Sequence, residues 1–138
     1  MYRKKEKLLV YKNATQTQSR CPFCHPELEL MVERGADFFV IKNKFGFDIW
    51  DMREVEDHLM LIPNEHLNDF HEFKSEIRQE YFDLLEKFSK LGYDSFTRSA
   101  ESQRRTQAHI HTHLIKTKGQ PFKNLSYQDD SGELEYSF

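Results

Sequence analysis

Three histidines alternate with other residues in one short segment, which reads His109-Ile110-His111-Thr112-His113. If this segment is a β-strand, its three imidazoles share one face, because successive strand side chains point to opposite sides. Neighbouring rings would be about 6.6 Å apart and the outer two about 13 Å, since a strand rises about 3.3 Å per residue. The outer rings cannot serve one atom, so we expect the segment to support two neighbouring functions.

Two kinds of chemistry suit these imidazoles. They bind metal ions, and a neutral imidazole whose second nitrogen is held by a hydrogen bond can attack phosphorus. A metal-binding or merely polar strand face is the simpler alternative. Burying several imidazoles costs free energy unless each finds a partner, which disfavours a chance accumulation at strict alternation.

Both cysteines of the chain lie in the segment Cys21-Pro22-Phe23-Cys24. In a reducing compartment such a pair is either a redox dithiol or half of a metal site. A closed tetrahedral zinc site needs two further ligands, and His25 is one candidate by position alone. A thioredoxin-like dithiol would follow a strand and open a helix, and no convincing strand precedes Cys21.

Length and charge narrow the class of protein. A chain of 138 residues suits one domain, and a net charge of −3 argues against a generally basic, nucleic-acid-binding surface. No apolar stretch approaches the roughly 18 residues of a membrane span, and the basic N-terminus lacks a signal-peptide core. We therefore expect a cytoplasmic protein without a membrane partner or stable nucleic-acid binding.

The elements that must position these residues predict an α+β domain with a mainly antiparallel sheet and one long helix. The helix is predicted over residues 76–91 by apolar side chains spaced along one face, and Gly92 follows as its cap. Strands are predicted at residues 8–11, 38–43, 58–62, 93–99 and 108–116, with a charged loop at 51–57. We expect a lead-in at residues 1–20, the domain at 21–117, and a tail of loop or partner contact at 118–138.

Two segments together resemble a known family. Residues 109–115 resemble the signature of the histidine-triad superfamily (His-apolar-His-any-His-apolar-apolar), although Thr112 is more polar than is usual. Residues 58–66, His-Leu-Met-Leu-Ile-Pro-Asn-Glu-His, resemble the upstream strand of that family. The resemblance covers roughly residues 21–115, with the helix between the two motifs, and implies a homodimer.

The zinc-bearing branch of the family, like the related galactose-1-phosphate uridylyltransferases, uses four ligands that match positions here. The resemblance implies a structural zinc ion held by Cys21, Cys24, His66 and His109. Such a Cys2His2 site would fasten the N-terminal segment to the histidine segment.

The resemblance also implies a reaction. His111 would attack the α-phosphorus of a nucleotide and form a covalent nucleotidyl-histidine, while His113 and His58 line the phosphate site. Dinucleoside polyphosphates and nucleoside phosphoramidates are the implied substrates, with water as acceptor. A nucleotidyltransferase that uses a phosphate or sugar phosphate as acceptor, and a non-catalytic nucleotide-binding module, are the alternatives.

The segment before the histidines departs from the family, which often has Gly-Gln-Ser or Gly-Gln-Thr there. This chain reads Arg104-Arg105-Thr106, and it has Arg98 where Asn or Gln is usual. Thr106 keeps a hydroxyl for phosphate, and arginines offer planar, permanently charged groups that bind phosphate. We assign Arg98, Arg104, Arg105 and Thr106 to substrate binding.

The ribose and base contacts are assigned by position. Related enzymes hold the ribose with an acidic or amide residue about eight positions before the upstream histidine. Asp51 lies seven positions before His58, and Asp48 is its competitor. Trp50 and Phe47 could sandwich a base, although aromatic residues near a strand end are more often core.

Overall fold

The computed structural model of the chain describes residues 2–17 and 20–138. Two short 3₁₀ turns occur, at Leu28–Leu30 and Phe70–Glu72. In chain order the helices and strands are α1 (Lys5–Thr17), β1 (Met31–Arg34), β2 (Phe38–Lys42), β3 (Ile49–Trp50), β4 (Arg53–Pro63), α2 (Ser75–Lys90), β5 (Asp94–Thr97), β6 (Thr112–Lys118), β7 (Asn124–Gln128) and β8 (Glu133–Ser137).

One antiparallel sheet organises the molecule. Its order is β1-β2-β4-β6-β5, with the short β3 folded onto the start of β4, and β7 and β8 form a separate two-stranded sheet. This confirms the predicted α+β fold with a mainly antiparallel sheet and the long helix α2, whereas helix α1 was not predicted. Within the described residues, no helix is both long enough and apolar enough to cross a membrane.

The two faces of the sheet bury different groups. Helix α2 covers one face, where the core contains, among others, Phe38, Leu59, Leu61, Tyr81 and Phe88. The opposite face carries a smaller apolar cluster of Phe39, Ile41, Met60 and Ile62. His58 and His113 belong to strands of the same sheet, so the reactive side chains lie on a surface supported from behind by the α2 core.

Helix α2 forms where its apolar spacing predicts, over Ser75–Lys90. Gly92 adopts a left-handed φ of 94°, and the amides of Gly92 and Tyr93 donate to the carbonyls of Ser89 and Phe88. These two bonds form a Schellman cap, which only a residue without a Cβ adopts easily. Leu91 was predicted to lie on the buried face but is 52% exposed, because the helix has already ended there.

Thr112, the polar departure in the histidine motif, faces the α2 core. Its hydroxyl is buried but hydrogen-bonded to Tyr81 Oη at 2.8 Å and to Thr97 Oγ1 at 2.6 Å. A buried hydroxyl with two partners costs little free energy. The same bonds hold β6 in register with α2 and β5.

Strand β6 begins later than predicted, at Thr112 rather than residue 108, because the partner strand reaches a proline. The last β4–β6 pair is Leu61 with Thr112, and Pro63 beyond it has no amide hydrogen for the ladder. The Ile110 amide donates instead to Leu67 O at 2.7 Å. His109 therefore precedes the strand, and its ring packs 4.7 Å from that of His66.

The prediction of a charged loop at residues 51–57 is wrong, because this segment forms a tight turn and the start of β4. Asp51 and Met52 have φ values of 52° and 58°, and they connect β3 directly to β4. Consecutive left-handed residues make the tight turn that two-residue hairpins favour, although neither residue is the usual Gly or Asn. Exposed Glu54 and Glu56 then alternate with half-buried Arg53, Val55 and Asp57 in the first part of β4, so the polarity of this segment does not indicate a loop.

The predicted strand at residues 8–11 is also wrong, since these residues lie inside α1. Asp48, far away in sequence, caps this helix. Its carboxylate accepts the Lys4 amide at 2.6 Å and binds Lys7 Nζ at 2.8 Å. A negative group at a helix N-terminus satisfies free amides and the helix dipole, and no local residue predicts it.

The tail was predicted to be a loop or a partner contact, but it forms the β7–β8 hairpin. Gly132, with φ 71°, sits so close to α1 that a Cβ there would lie 2.9 Å from Leu8 and 3.0 Å from the Lys5 backbone. Tyr127 packs its ring 4.4 Å from that of Tyr2. Both ends of the chain therefore fold against the domain and against each other.

Candidate active site and metal centre

A cavity of about 830 Å³ lies on the sheet face opposite α2. Met60 and His113 contribute from the sheet, and His111 from the segment before β6. Residues of α1, of the Cys21–Cys24 segment and of the tail also line it, so both chain ends help to enclose the space. The cavity is large enough for a nucleotide.

His58 and His113 form a hydrogen-bonded pair with defined tautomers. The Phe47 amide donates to His58 Nδ1 at 2.9 Å, so the proton of His58 must reside on Nε2. That Nε2–H donates to His113 Nδ1 at 2.8 Å. His113 consequently carries its proton on Nε2, where it can donate to an anion in the cavity.

His111 has the complementary arrangement. Its Nδ1 lies 3.0 Å from the carbonyl oxygen of His109, which can only accept, so Nδ1 carries the proton. The lone pair therefore resides on Nε2. His111 and His113 rings lie 4.9 Å apart, and both line the cavity. The unprotonated Nε2 belongs to His111, and the neighbouring His113 ring carries an Nε2–H that can donate a hydrogen bond.

His58, His111 and His113 are all held neutral, although His58 does not itself line the cavity. Burial, assisted by nearby positive charge, lowers the pKa of His58 to about 3 and that of His111 to about 4. Burial also lowers the pKa of His113 well below its usual value. Its ring stacks on Phe96 at 4.5 Å, and Phe96 stacks in turn on Trp50 at 5.1 Å.

These neutral histidines predict how stability depends on pH. In the unfolded chain a histidine titrates near its usual pKa of about 6.5. Below that pH the unfolded state therefore binds protons at His58 and His113, whereas in the folded state both side chains stay unprotonated. Stability should fall as pH drops from about 6.5 towards 4. A His58→Asn variant has one histidine fewer to protonate on unfolding, so the slope of the unfolding free energy against pH should decrease by about 1.4 kcal/mol per pH unit.

Urea unfolding between pH 5 and 7 measures this slope. His71→Asn, at an exposed position in the second 3₁₀ turn, is the matched control. An unchanged slope in His58→Asn would mean that His58 does not remain neutral in the fold.

Four predicted metal ligands come together. The ligand atoms of Cys21, Cys24, His66 and His109 all lie within 4.8 Å of one another. His109 Nδ1 is 3.5 Å from Cys21 Sγ and 3.6 Å from Cys24 Sγ, and His66 Nδ1 is 3.1 Å from Cys24 Sγ. Tetrahedral zinc with ordinary bond lengths would place sulfur and nitrogen ligands about 3.6 Å apart.

The tautomer of His109 also suits a metal ligand. Its Nε2 lies 2.8 Å from the Pro63 carbonyl oxygen, so Nε2 carries the proton and Nδ1 is left unprotonated towards the two sulfurs. A carbonyl that orients the second nitrogen is the usual support for a metal-binding histidine. The donor set therefore fits a zinc ion, whereas His25 does not belong to the cluster.

The predicted phosphate-binding residues separate into two groups. Arg98, Arg104 and Thr106 line the cavity. Arg105 does not: its guanidinium donates to the carbonyl oxygens of Gln107, Asn68 and Ala108, at 2.9, 2.6 and 2.6 Å. Arg105 therefore fastens the loop before His109, and the structure does not support its assignment to phosphate.

The predicted ribose and base contacts do not assemble. Asp51 lies in the exposed β3–β4 turn and Asp48 caps α1, and neither lines the cavity. Trp50 is stacked on Phe96, away from the cavity, whereas Phe47 does line it. Asp51 and a Trp50–Phe47 sandwich are therefore not brought to the nucleotide-sized space.

Several cavity residues could not be predicted from the sequence, because they lie on segments that are distant in sequence from the histidine motifs. Arg3 and Tyr11 come from the N-terminal segment, Asn43 from the end of β2, and Tyr127 from the tail. Tyr11 Oη donates to Thr106 Oγ1 at 3.2 Å, across 95 residues of sequence. The basic N-terminus was the only signal, and it indicates no particular partner.

Comparison with known proteins gives structural matches only. No protein-family model and no curated protein matches the chain. A HIT family protein from Bacillus anthracis matches with a TM-score of 0.56 and 19% identity, over 85% of this chain and 80% of that one. A histidine triad nucleotide-binding protein from Candida albicans gives 0.54 and 16%, over 80% and 88%. A HIT family hydrolase from Clostridium thermocellum gives 0.53 and 20%, over 75% and 94%.

At these identities the similarity establishes the fold. The chain has the histidine-triad fold, as the motifs at residues 58–66 and 109–115 predict. The fold alone does not determine the activity of the chain, which depends on its own side chains.

Proposed function

We propose that this chain is a nucleotide hydrolase that acts at the α-phosphorus of dinucleoside polyphosphates or nucleoside phosphoramidates through a covalent nucleotidyl-His111. One observation carries the proposal: the His109 carbonyl holds the proton of His111 on Nδ1, which leaves the Nε2 lone pair for the cavity. A neutral, oriented imidazole is the form that attacks phosphorus.

The reaction divides into two displacements. First, His111 Nε2 forms a bond to the α-phosphorus, and the bond from phosphorus to the leaving group breaks with its electron pair. Water then forms a bond to phosphorus, the P–N bond breaks, and its electrons return to His111 as a lone pair. The water proton leaves, and the products are a nucleoside monophosphate and the leaving group. Each displacement is easier than a direct attack by water.

The neighbouring groups supply charge stabilisation. His113 presents Nε2–H beside His111 and is held in that tautomer by His58, so a donor is fixed before the phosphate arrives. Arg98 and Arg104 add permanent positive charge and Thr106 adds a hydroxyl to the same cavity. Preorganised donors of this kind stabilise the extra negative charge of a phosphoryl transition state.

Solved structures support the class of substrate. The Candida albicans protein is described as a nucleotide-binding protein and the Clostridium thermocellum protein as a hydrolase. We carry both descriptions to this chain as part of the proposal, because its reactive residues lie in a cavity that a nucleotide would fit. A homodimer remains a further expectation from the resemblance.

We also propose that Cys21, Cys24, His66 and His109 hold a structural zinc ion. Bound zinc would link the N-terminal segment to the residue whose carbonyl orients His111. It would act by holding that segment in place, since all four ligand positions are provided by the protein.

Product analysis tests the proposal. Purified protein should convert a dinucleoside tetraphosphate and a nucleoside phosphoramidate to nucleoside monophosphate in buffer alone. If products form only when phosphate or a sugar phosphate is added, the chain is a transferase instead. Binding without any turnover, with or without acceptors, would identify a non-catalytic nucleotide-binding module and remove the hydrolase proposal.

A further inference from the structure

Arg3 lies in the cavity in an unusually restricted position. Its guanidinium carbon is 4.0 Å from the centre of the Tyr11 ring and 4.7 Å from that of Phe47. Its Nε donates to the carbonyl oxygen of Phe45. Two aromatic faces and one carbonyl therefore fix the plane of the guanidinium before any ligand binds, which reduces the entropy that a ligand contact must overcome.

No carboxylate neutralises this charge directly. Among residues 2–17 and 20–138, none lies within the 4.0 Å of an ion pair with Arg3; Asp48, the acidic side chain whose charge acts on it, pairs with Lys7 instead. Partial burial of a cation without a carboxylate costs free energy. Such a cost is recovered when an anionic ligand occupies the cavity.

Other cations share the space. Arg98 and Arg104 line the same cavity from the loop after β5. The Arg98 guanidinium carbon lies 5.4 Å from the centre of the Phe96 ring, and the His113 ring packs against both Phe96 and Phe47, at 4.5 and 6.0 Å. Arg98 and Arg3 therefore approach His113 through different aromatic neighbours, Phe96 and Phe47 respectively. Because Arg3 packs on Phe47 in the cavity that His111 also lines, a chain of phosphates that begins at His111 could extend to Arg3.

We propose that Arg3 binds a phosphate beyond the one attacked by His111, and so selects ligands that carry a polyphosphate chain. This inference rests on the proposed function, which it deepens by favouring dinucleoside polyphosphates over phosphoramidates. A guanidinium with a fixed plane suits two parallel hydrogen bonds to one phosphate. The alternative is that Arg3 only fastens the N-terminal segment onto Tyr11 and Phe47.

Calorimetric titration separates these roles without requiring turnover. Inorganic tripolyphosphate and inorganic phosphate are titrated into the intact protein at about 0.15 M salt, where long-range attraction is screened. Arg3→Met keeps the side-chain stem over the rings but removes the charged group. Arg3→Lys keeps the charge but not the planar fork. Arg53→Met, at a half-buried arginine at the start of β4 and outside the cavity, is the control for net charge.

Arg3→Met should bind tripolyphosphate about tenfold to hundredfold more weakly than the wild type, as expected for loss of one charge-assisted hydrogen bond. Arg3→Lys should recover part of this loss, and Arg53→Met should change affinity less than about twofold. Inorganic phosphate should be affected much less than tripolyphosphate. Equal tripolyphosphate affinity in Arg3→Met and wild type, or no binding by wild type, overturns the inference.

Kinetics distinguish failure of this inference from failure of the proposed function. If wild type hydrolyses both substrates, Arg3→Met should lose kcat/KM on a dinucleoside tetraphosphate and largely keep it on a phosphoramidate. Equal losses on both substrates would mean that Arg3 has a merely structural role. Absence of wild-type turnover would contradict the hydrolase proposal, while the tripolyphosphate titration would still decide the role of Arg3.

Discussion

Replacing His111 with asparagine is expected to lower turnover by at least about 10⁴-fold, because the neighbouring His113 cannot replace it as the covalent nucleophile. His113 Nδ1 already accepts from His58, and its Nε2 carries a proton, so neither nitrogen offers a lone pair. Binding should change far less, since the cavity charges remain. Steady-state turnover and nucleotide titration on the same preparation separate the two effects.

The control for this prediction is His71→Asn, which makes the same substitution on the surface. It should retain full turnover. If His111→Asn also retains turnover, the covalent mechanism is wrong, whatever the fate of the fold. A large loss of binding with unchanged kcat would instead make His111 a ligand contact.

The second large effect concerns the metal centre. Purified protein is expected to hold about one equivalent of zinc, and Cys24→Ser should lose it and unfold at least about 10 °C lower. The four donors come from three separate segments, so an ion bound there restrains the whole N-terminal side of the domain. Metal analysis by mass spectrometry and thermal unfolding, with and without a chelator, measure both quantities.

The histidine variants identify the ligands. His66→Asn should lose the metal, whereas His25→Asn, adjacent to Cys24 in sequence but outside the cluster, should keep it. Retention of a full equivalent by Cys24→Ser, or an unchanged melting temperature after its removal, would contradict the structural role. Loss of metal in His25→Asn but not His66→Asn would reassign the fourth ligand.

Much of this architecture could be predicted because local patterns determine it. Helix α2 is specified by its apolar spacing and by Gly92 just beyond its end, and both signals are local in sequence. The metal cluster could be predicted only through the resemblance, since Cys21 and His109 are 88 residues apart. Sequence spacing within one segment gives a direction for each side chain but not its distant partners.

Other features depend on contacts that no local pattern reveals. Asp48 caps α1 from 44 residues away, so a segment that resembles a short strand becomes a helix. Pro63 on β4 ends the β6 ladder at Thr112, which moves His109 off the strand and towards the cysteines. Prediction of a regular histidine strand was therefore right for His113 and wrong for His109 and His111, which precede β6.

The arginines show the same limit. Arg98, Arg104 and Arg105 looked equivalent in sequence, but the Arg105 guanidinium is engaged by three backbone carbonyls while the other two line the cavity. Arg3 was not distinguished from the other basic residues at the N-terminus. Its role depends on Tyr11 and Phe47, which reach it only through the fold.

The covalent intermediate is the most direct test of the whole account. Protein mixed with a dinucleoside tetraphosphate is quenched at alkaline pH, because acid cleaves P–N bonds, and digested with trypsin. The peptide of residues 106–116 should gain the mass of a nucleoside monophosphate less water, and fragmentation should locate it on His111. Turnover with no added mass, or with the mass on His109 or His113, would contradict it.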